Sequence, residues 1–135
     1  MYWPDISQSW QEAHNSFGVT APALRWAVAD GRLDGTRAYQ TFLLLANPNP
    51  YPAQVFVRYL KDGREDRSAD YLLPPTSRTT LRLNDTAHTG EGLVSVEVGV
   101  RNYQPIIVEK ALYWDAGGIT WAAGTGVVGT PLPPP

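Results

Sequence analysis

The stretch that decides the fold is a run of valines that recur at every second position. It reads Val94-Ser95-Val96-Glu97-Val98-Gly99-Val100. Because successive side chains of a β-strand point to opposite faces of a sheet, this alternation places the four valines on one face. The pattern predicts a strand with one face buried and the other face in contact with solvent.

Further strand signals lie on both sides of this run, in residues 24–29, 39–47, 54–61, 67–73, 78–83 and 106–114. Turn signals separate them, among them Asp30-Gly31, Asp34-Gly35, the proline-rich residues 47–52 and Asp62-Gly63. The last of these pairs predicts a two-residue hairpin turn. Short strands with a turn about every ten residues are typical of a sandwich. The sequence therefore predicts an all-β fold, an immunoglobulin-like antiparallel β-sandwich of about seven strands.

Composition excludes several classes of function. The 135 residues contain 11 basic and 13 acidic side chains with no run of either sign, so no nucleic-acid surface is predicted. Cysteine is absent, which excludes disulfides and thiolate metal sites. The longest apolar run, residues 42–46, is far shorter than the ~20 residues of a membrane span, so direct membrane insertion is not predicted.

One sequence pattern occurs twice, near the beginning and near the end of the chain. Tyr2-Trp3 is followed by Trp10 and Gly18, and Tyr113-Trp114 is followed at the same spacing by Trp121 and Gly129. The offset between the copies is 113 − 2 = 111 residues. Self-similarity at a fixed offset is typical of repeat proteins. The chain is therefore interpreted as one full repeat unit followed by the opening of the next.

This interpretation gives three regions. Residues 1–22 are predicted to be a connector from a preceding unit, residues 23–114 the β-sandwich, and residues 115–135 the start of the next connector with a proline-rich tail. When the two copies of the pattern are aligned, Met1 corresponds to Leu112, the last apolar residue of a predicted strand. Two interpretations of Met1 stay open: an initiator, or an interior residue of a longer chain. The first residues lack the basic and apolar regions of a secretory signal, and no signal peptide is expected within this sequence.

Several of these segments resemble a known family. Tyr2-Trp3-Pro4, residues 10–20, Trp26 with Ala29-Asp30-Gly31, residues 39–48 and residues 105–114 are similar to a tandem immunoglobulin-like repeat of large secreted or surface proteins of bacteria. The resemblance covers nearly the whole chain. It implies an extracellular, cell-surface or periplasmic setting and a structural or adhesive role. It supplies no catalytic residue.

Candidate chemistry is sparse. The only imidazoles are His14 and His88, and a lone Glu12-Ala13-His14 is more typical of a structural hydrogen bond than of a metal ligand. Ser16 lacks the sequence context of a nucleophile. The acidic residues near Asp62, and the Asp30, Asp34 and Asn84 turns, match no known catalytic or calcium-binding spacing. We therefore predict no enzyme activity, no catalytic residue, no metal and no cofactor.

The aromatic residues are the remaining functional signal. We predict an interface, formed with neighbouring units, at the repeat-equivalent positions Tyr2, Trp3, Trp10, Tyr113, Trp114 and Trp121, because aromatic side chains dominate buried and interface area. Trp26 falls on the apolar face of a strand and is predicted to be in the core. Tyr51, between two prolines in a loop, is the candidate for stacking on a sugar ring.

These signals predict a noncatalytic structural or interaction module of a bacterial extracellular or envelope assembly. Its expected partners are neighbouring repeat units or other envelope proteins, which it docks through its Tyr-Trp connectors. Two alternatives stay open: a carbohydrate-binding module, and an accessory subunit of a larger membrane-associated complex.

Overall fold

The computed structural model describes residues 15–85 and 90–133, which form two antiparallel β-sheets with a shared core. In chain order the strands are β1 (Arg25–Leu33), β2 (Gln40–Asn47), β3 (Ala53–Leu60), β4 (Arg67–Leu73), β5 (Ser77–Arg82), β6 (Gly92–Val100), β7 (Ile107–Ala116), β8 (Ile119–Val128) and β9 (Thr130–Pro131). One sheet has the order β4-β3-β6-β1-β9 and the other β5-β2-β7-β8. The predicted all-β antiparallel sandwich is confirmed, with nine strands in this part of the chain instead of about seven.

The alternating valines of β6 build the core as predicted. Val94, Val96 and Val98 are each at most 2% exposed and share one apolar cluster with Leu43 and Leu45 of β2. Burying a side chain of this size contributes about 1.5–3 kcal/mol, so contacts between the two sheets are the main source of stability. Since Leu43 and Leu45 face inward, alternation along β2 sends the side chains between and beside them to the outer face.

Trp26 is fully buried, as the sequence predicts. Its indole N–H donates hydrogen bonds to the carbonyl oxygens of Ile106 at 3.0 Å and Ala23 at 3.2 Å. These bonds satisfy the one polar group of the side chain inside the core.

The Asp30-Gly31 pair is not a turn, in contrast to the prediction. Strand β1 continues to Leu33, and its register against β6 shifts between Val28 and Gly31. Asp30 has a φ of 57°, and a Cβ on Gly31 would lie 2.7 Å from the carbonyl oxygen of Val94. The pair therefore forms a β-bulge, which uses the same residue types as a turn but leaves the strand intact.

Lys110 of β7 connects this bulge to the other sheet. The side chain is 6% exposed, and its ammonium donates hydrogen bonds to the carbonyl oxygens of Ala29 at 2.7 Å and Asp30 at 3.1 Å. The bulge exposes these carbonyls to the interior, and a buried carbonyl without a donor would destabilise the fold. Burial also lowers the pKa of this lysine.

The Asp62-Gly63 pair does form a turn, which the Arg64 N–H closes by donating to the Lys61 carbonyl at 3.3 Å. The predicted two-residue hairpin is wrong, however, because β3 ends at Leu60 and β4 begins only at Arg67. Six residues, 61–66, therefore separate the two strands.

The C-terminal boundary differs from the predicted one at Trp114. β8 pairs with β7 along most of its length, and β9 adds to the other sheet by pairing with Trp26 and Ala27 of β1. Residues 115–131 therefore belong to the sandwich and complete both of its sheets, whereas the sequence predicted that they begin a connector. Residues 1–14 of the first predicted connector lie outside the described residues, and Val19 farther along packs against the core.

Candidate binding site

On the outer face of the four-stranded sheet, residues with small side chains lie between residues with large ones. The strand register places Ala111 of β7 opposite Phe42 on one side and opposite Gly126 on the other. It also places Gly124 of β8 opposite Tyr113 of β7. Residues directly opposite each other share a face of the sheet. The centre of this face therefore presents an alanine methyl group and two glycines, and the neighbouring aromatic rings project beyond it.

A β-bulge in the β7–β8 hairpin turns Trp121 onto this face. Trp114 pairs with Ala123 and Ala116 pairs with Ile119, so one residue of β7 stands opposite three of β8. In a regular strand Trp121 would share a face with Ala123, which is buried. Its φ of 54° breaks that alternation. Bulges commonly redirect a side chain in this way, and such backbone outliers concentrate at functional sites.

Asp115 holds the bulge in place. Its carboxylate accepts a hydrogen bond from the Trp121 backbone N–H at 2.9 Å, and its own backbone N–H donates to the Arg37 carbonyl at 2.8 Å. The carboxylate thus satisfies a backbone donor that the irregular ladder leaves without a carbonyl partner.

Three aromatic rings meet on this face. The rings of Tyr113 and Trp121 are stacked, with centroids 5.7 Å apart and an interplanar angle of 22°. Phe42 presents its ring nearly perpendicular to both, at 5.8 Å from Tyr113 and 6.1 Å from Trp121. Burial raises the pKa of the Tyr113 phenol, and the positive charge of Arg78 opposes that shift. Trp121 keeps 42% of its surface exposed, so the stack offers an indole to solvent.

The rings border a groove of about 460 Å³, which we call the aromatic groove. It is lined by Phe42, Leu44, Arg78, Thr80, Ala111, Tyr113, Thr120 and Trp121. A volume of this order is typical of sites for small ligands, which are mostly apolar with a few polar groups. Besides the Tyr113 hydroxyl and the Trp121 indole N–H, the polar groups of this lining are two threonine hydroxyls and one guanidinium. The groove therefore suits a ligand with an apolar face and a polar edge.

The sequence-predicted interface residues are only partly brought together. Tyr113 and Trp121 stack in the groove. Trp114 is not part of the groove lining, and its ring centroid lies 5.8 Å from that of Tyr39. The guanidinium of Arg32 covers the Tyr39 ring, 4.6 Å from its centroid. Tyr51 is 65% exposed, and its loop is not part of the groove lining. Tyr2, Trp3, Trp10, His14 and His88 lie outside the described residues.

Sequence reasoning missed Phe42, Arg78, Thr80 and Thr120 as groove residues. Alternation could have placed Phe42 on the outer face, because Leu43 and Leu45 occupy the inner one. The position of Thr120 follows from the β7–β8 pairing, which was not predicted. Grouping all of them required the order of the strands in the sheet, and single-strand patterns do not contain that order.

Other candidate chemistry gains no support from the described part of the chain. Asn84 donates a side-chain hydrogen bond to the Asp34 carboxylate at 3.0 Å, so these two candidate calcium ligands bond directly to each other. Within residues 15–85 and 90–133, no three histidine or acidic side chains are grouped as metal ligands. Over the same residues, no helix has the length and apolar character needed to cross a bilayer.

Comparison with solved structures identifies the fold as one that other proteins share. A crystal structure of Thermotoga maritima 1070 matches with a TM-score of 0.70 and 16% identity, over 82% of this chain and 96% of that chain. The Anabaena sensory rhodopsin transducer matches with a TM-score of 0.56 and 16% identity, over 69% of this chain and 91% of that chain. At this identity the likeness shows the fold alone. No protein-family model and no curated protein matches the sequence.

Proposed function

We propose that the protein is a noncatalytic binding module of a bacterial surface or envelope assembly, and that it binds a carbohydrate ring in the aromatic groove. The observation that carries this proposal is the exposed indole of Trp121, held by a β-bulge in a stack with Tyr113. A fixed, partly exposed aromatic ring loses little conformational entropy when a ligand stacks on it.

The composition of the groove supports a sugar. One side of a pyranose ring presents mainly C–H groups, and its edge presents hydroxyls. The indole offers a flat apolar surface to the first, while Thr80, Thr120 and Arg78 offer hydrogen-bonding groups to the second. Tyr51, the stacking residue proposed from sequence, has the exposure but lies outside this arrangement.

A glycan array followed by calorimetry of the strongest ligand tests the proposal. We expect Trp121→Ala to weaken binding by ~5-fold to ~150-fold, since a stacked aromatic contact of about 1–3 kcal/mol is lost. Tyr51→Ala is the matched control, because it removes an exposed aromatic side chain away from the groove. Loss of binding in the Tyr51 variant alone would contradict the groove and restore the sequence-based site.

Docking between neighbouring units is the second candidate function, and the edge of β8 favours it. Within the described residues β8 pairs on one side only, and its ten residues carry no charged side chain and no proline. The other edges are protected by Arg78 and Arg82 on β5, by Arg67 and Asp70 on β4, and by Pro131 on β9. Unprotected edges pair readily with strands of other chains.

Light scattering over a range of concentrations tests this second candidate. We expect the chain to self-associate and Val127→Lys to abolish association, because the new charge lies on an exposed position of β8. Leu72→Lys adds the same charge at an exposed position of the already charged strand β4 and serves as control. A wild-type chain that stays monomeric throughout would contradict edge docking.

The accessory-subunit alternative remains a prediction without an observation of its own. The Anabaena protein is named a sensory rhodopsin transducer, but the likeness to it is one of fold. Stoichiometric co-purification with a membrane complex is the result that would favour this alternative.

A further inference from the structure

Arg78 differs from the other strand arginines that lie near carboxylates. Arg82, also on β5, bonds to Gln40 and to Asp85, the latter at 2.8 Å. In the other sheet Arg25 and Arg58 pair with Glu97, and Arg101 near the end of β6 pairs with Asp70. The Arg78 guanidinium, which lines the aromatic groove, makes no hydrogen bond or salt bridge within residues 15–85 and 90–133.

No described residue of the groove lining carries a negative charge to balance this arginine, and Glu109, opposite Leu44 on the same face, is outside that lining. Among the described residues that line the groove, Arg78 carries the only formal charge. The strand register places Arg78 opposite Ala46 of β2 and Thr80 opposite Leu44, so the guanidinium and the Thr80 hydroxyl lie on the same face as the aromatic rings. The effect of Arg78 on the Tyr113 phenol agrees with this placement beside the ring stack.

We infer that the aromatic groove selects an acidic saccharide, a sugar ring that carries a carboxylate, and that Arg78 is the residue that determines this specificity. The inference rests on the proposed carbohydrate-binding function and names its ligand class. A guanidinium binds a carboxylate through two parallel N–H···O bonds, which fixes the orientation of the ligand as well as adding affinity. The ring of the ligand stacks on Trp121 while its carboxylate meets Arg78.

Calorimetric titration with an oligogalacturonate and with its methyl ester tests the inference, because the two ligands have the same rings and differ in charge. For the wild-type chain we expect the acid to bind at least ~10-fold more tightly than the ester, as charge-assisted hydrogen bonds are roughly twice as strong as neutral ones. We expect this preference to decrease as salt concentration rises.

Three variants assign the preference to residues. Arg78→Gln should reduce the acid-to-ester ratio to ~1 while the ester still binds. Arg67→Gln removes an exposed arginine of β4 in the other sheet and should leave the ratio unchanged. Trp121→Ala should weaken both ligands alike. Circular dichroism establishes that each variant is folded.

The outcomes separate this inference from the function on which it rests. Equal wild-type affinity for acid and ester overturns the acidic-ligand inference but leaves sugar binding intact. An equal loss of preference in the Arg67 and Arg78 variants also overturns it, because net charge would then be the cause. If an acidic peptide binds at the groove and no saccharide on the array does, both the inference and the carbohydrate function fail.

Discussion

The outer faces of the two sheets use similar residues to different ends. On the five-stranded sheet the carboxylate of Glu97, on the central strand β6, accepts from Arg25 at 2.6 Å and from Arg58 at 3.2 Å. Phe56 on the same face is covered by the guanidinium of Arg101 at 5.1 Å, and Arg101 itself pairs with Asp70 at 2.8 Å. The Phe56 ring, Glu97 and these three arginines of the face thus have partners within the protein.

The face of the four-stranded sheet leaves the same kinds of group unsatisfied. Its arginine at the groove, Arg78, has no carboxylate partner among the described residues, and its Trp121 ring is partly exposed. Phe56 lies over Gly99, whereas Trp121 stands at the edge of an open groove. The comparison shows that similar residues are paired within the protein on one face and left open on the other, and the open set is the basis of the proposed binding surface.

The largest effect is expected where the first face is most tightly packed. A Cβ on Gly99 would lie 2.3 Å from two ring carbons of Phe56, so Gly99→Ala displaces that ring from its place beneath Arg101. We expect the free energy of unfolding to fall by about 1–3 kcal/mol. Chemical denaturation measures the change.

Gly18→Ala is the matched control for this prediction. No atom lies within 4 Å of a Cβ built at Gly18, so the same substitution should leave stability nearly unchanged. An equally small effect at Gly99 would show that the Phe56 ring moves freely, and the contrast in packing between the two faces would then be lost.

Much of the fold could be predicted from the sequence because its core strands alternate cleanly. The valines of β6 and the tryptophan of β1 indicated the buried face directly, and both are buried. Strand β8 could not be predicted in the same way. Its residues 122–126 are alanine, glycine and threonine, which carry no apolar alternation, and the strand is defined by pairing with β7. Local pattern identifies a strand only when its own side chains form the core.

The candidate site was less predictable for a related reason. The repeat spacing placed Tyr113 and Trp121 among six predicted interface residues, but their stacking depends on the bulge that reverses the direction of Trp121. A φ of 54° at a tryptophan has no signature in the sequence. Arg78 joined the site through the order of strands β5, β2 and β7, which alternation within one strand does not specify.

The next largest loss of stability is expected from removing a charge, and it should differ between the two faces. Glu97→Gln removes the shared carboxylate of Arg25 and Arg58, and its side chain is only 14% exposed. We expect a loss of about 1–2 kcal/mol, since hydrogen bonds to partly buried charges are stronger than exposed ones. Arg78→Gln should change stability by less than about 0.5 kcal/mol. If urea denaturation gives the same loss of stability for both variants, Arg78 is paired in solution, and the contrast between a paired and an unpaired charge is lost.

A smaller effect is expected at the bulge. Asp115→Ala removes the acceptor of the Trp121 backbone N–H, which should cost about 0.5–1.5 kcal/mol and loosen the stack with Tyr113. Near-ultraviolet circular dichroism reports the loss of a fixed indole. Asp115→Asn keeps an acceptor oxygen and should retain the wild-type spectrum. If both variants keep it, ring packing alone holds Trp121 in place.

The last effect is confined to alkaline pH, where the ionisation of a tyrosine in the core differs from that of a tyrosine in the groove. Burial raises the pKa of Tyr59, and its hydrogen bond to the Tyr71 hydroxyl at 3.0 Å adds to that shift, whereas burial alone raises the pKa of Tyr113. A raised pKa in the folded state stabilises the fold fully below the ordinary tyrosine value of about 10, and this contribution is lost as pH rises above it.

Tyr59→Phe should therefore flatten the alkaline decline of the unfolding free energy more than Tyr113→Phe does, with one proton accounting for at most about 1.4 kcal/mol per pH unit. Within the groove, the positive charge of Arg78 lowers the pKa of Tyr113 against the effect of burial. In Arg78→Gln we expect the Tyr113 phenol, followed by its phenolate absorbance against a Tyr113→Phe reference, to ionise at a higher pH than in the wild type. An unchanged titration would place the guanidinium too far from the ring stack to meet a ligand bound there, and Arg78 would then be only an exposed arginine like Arg67.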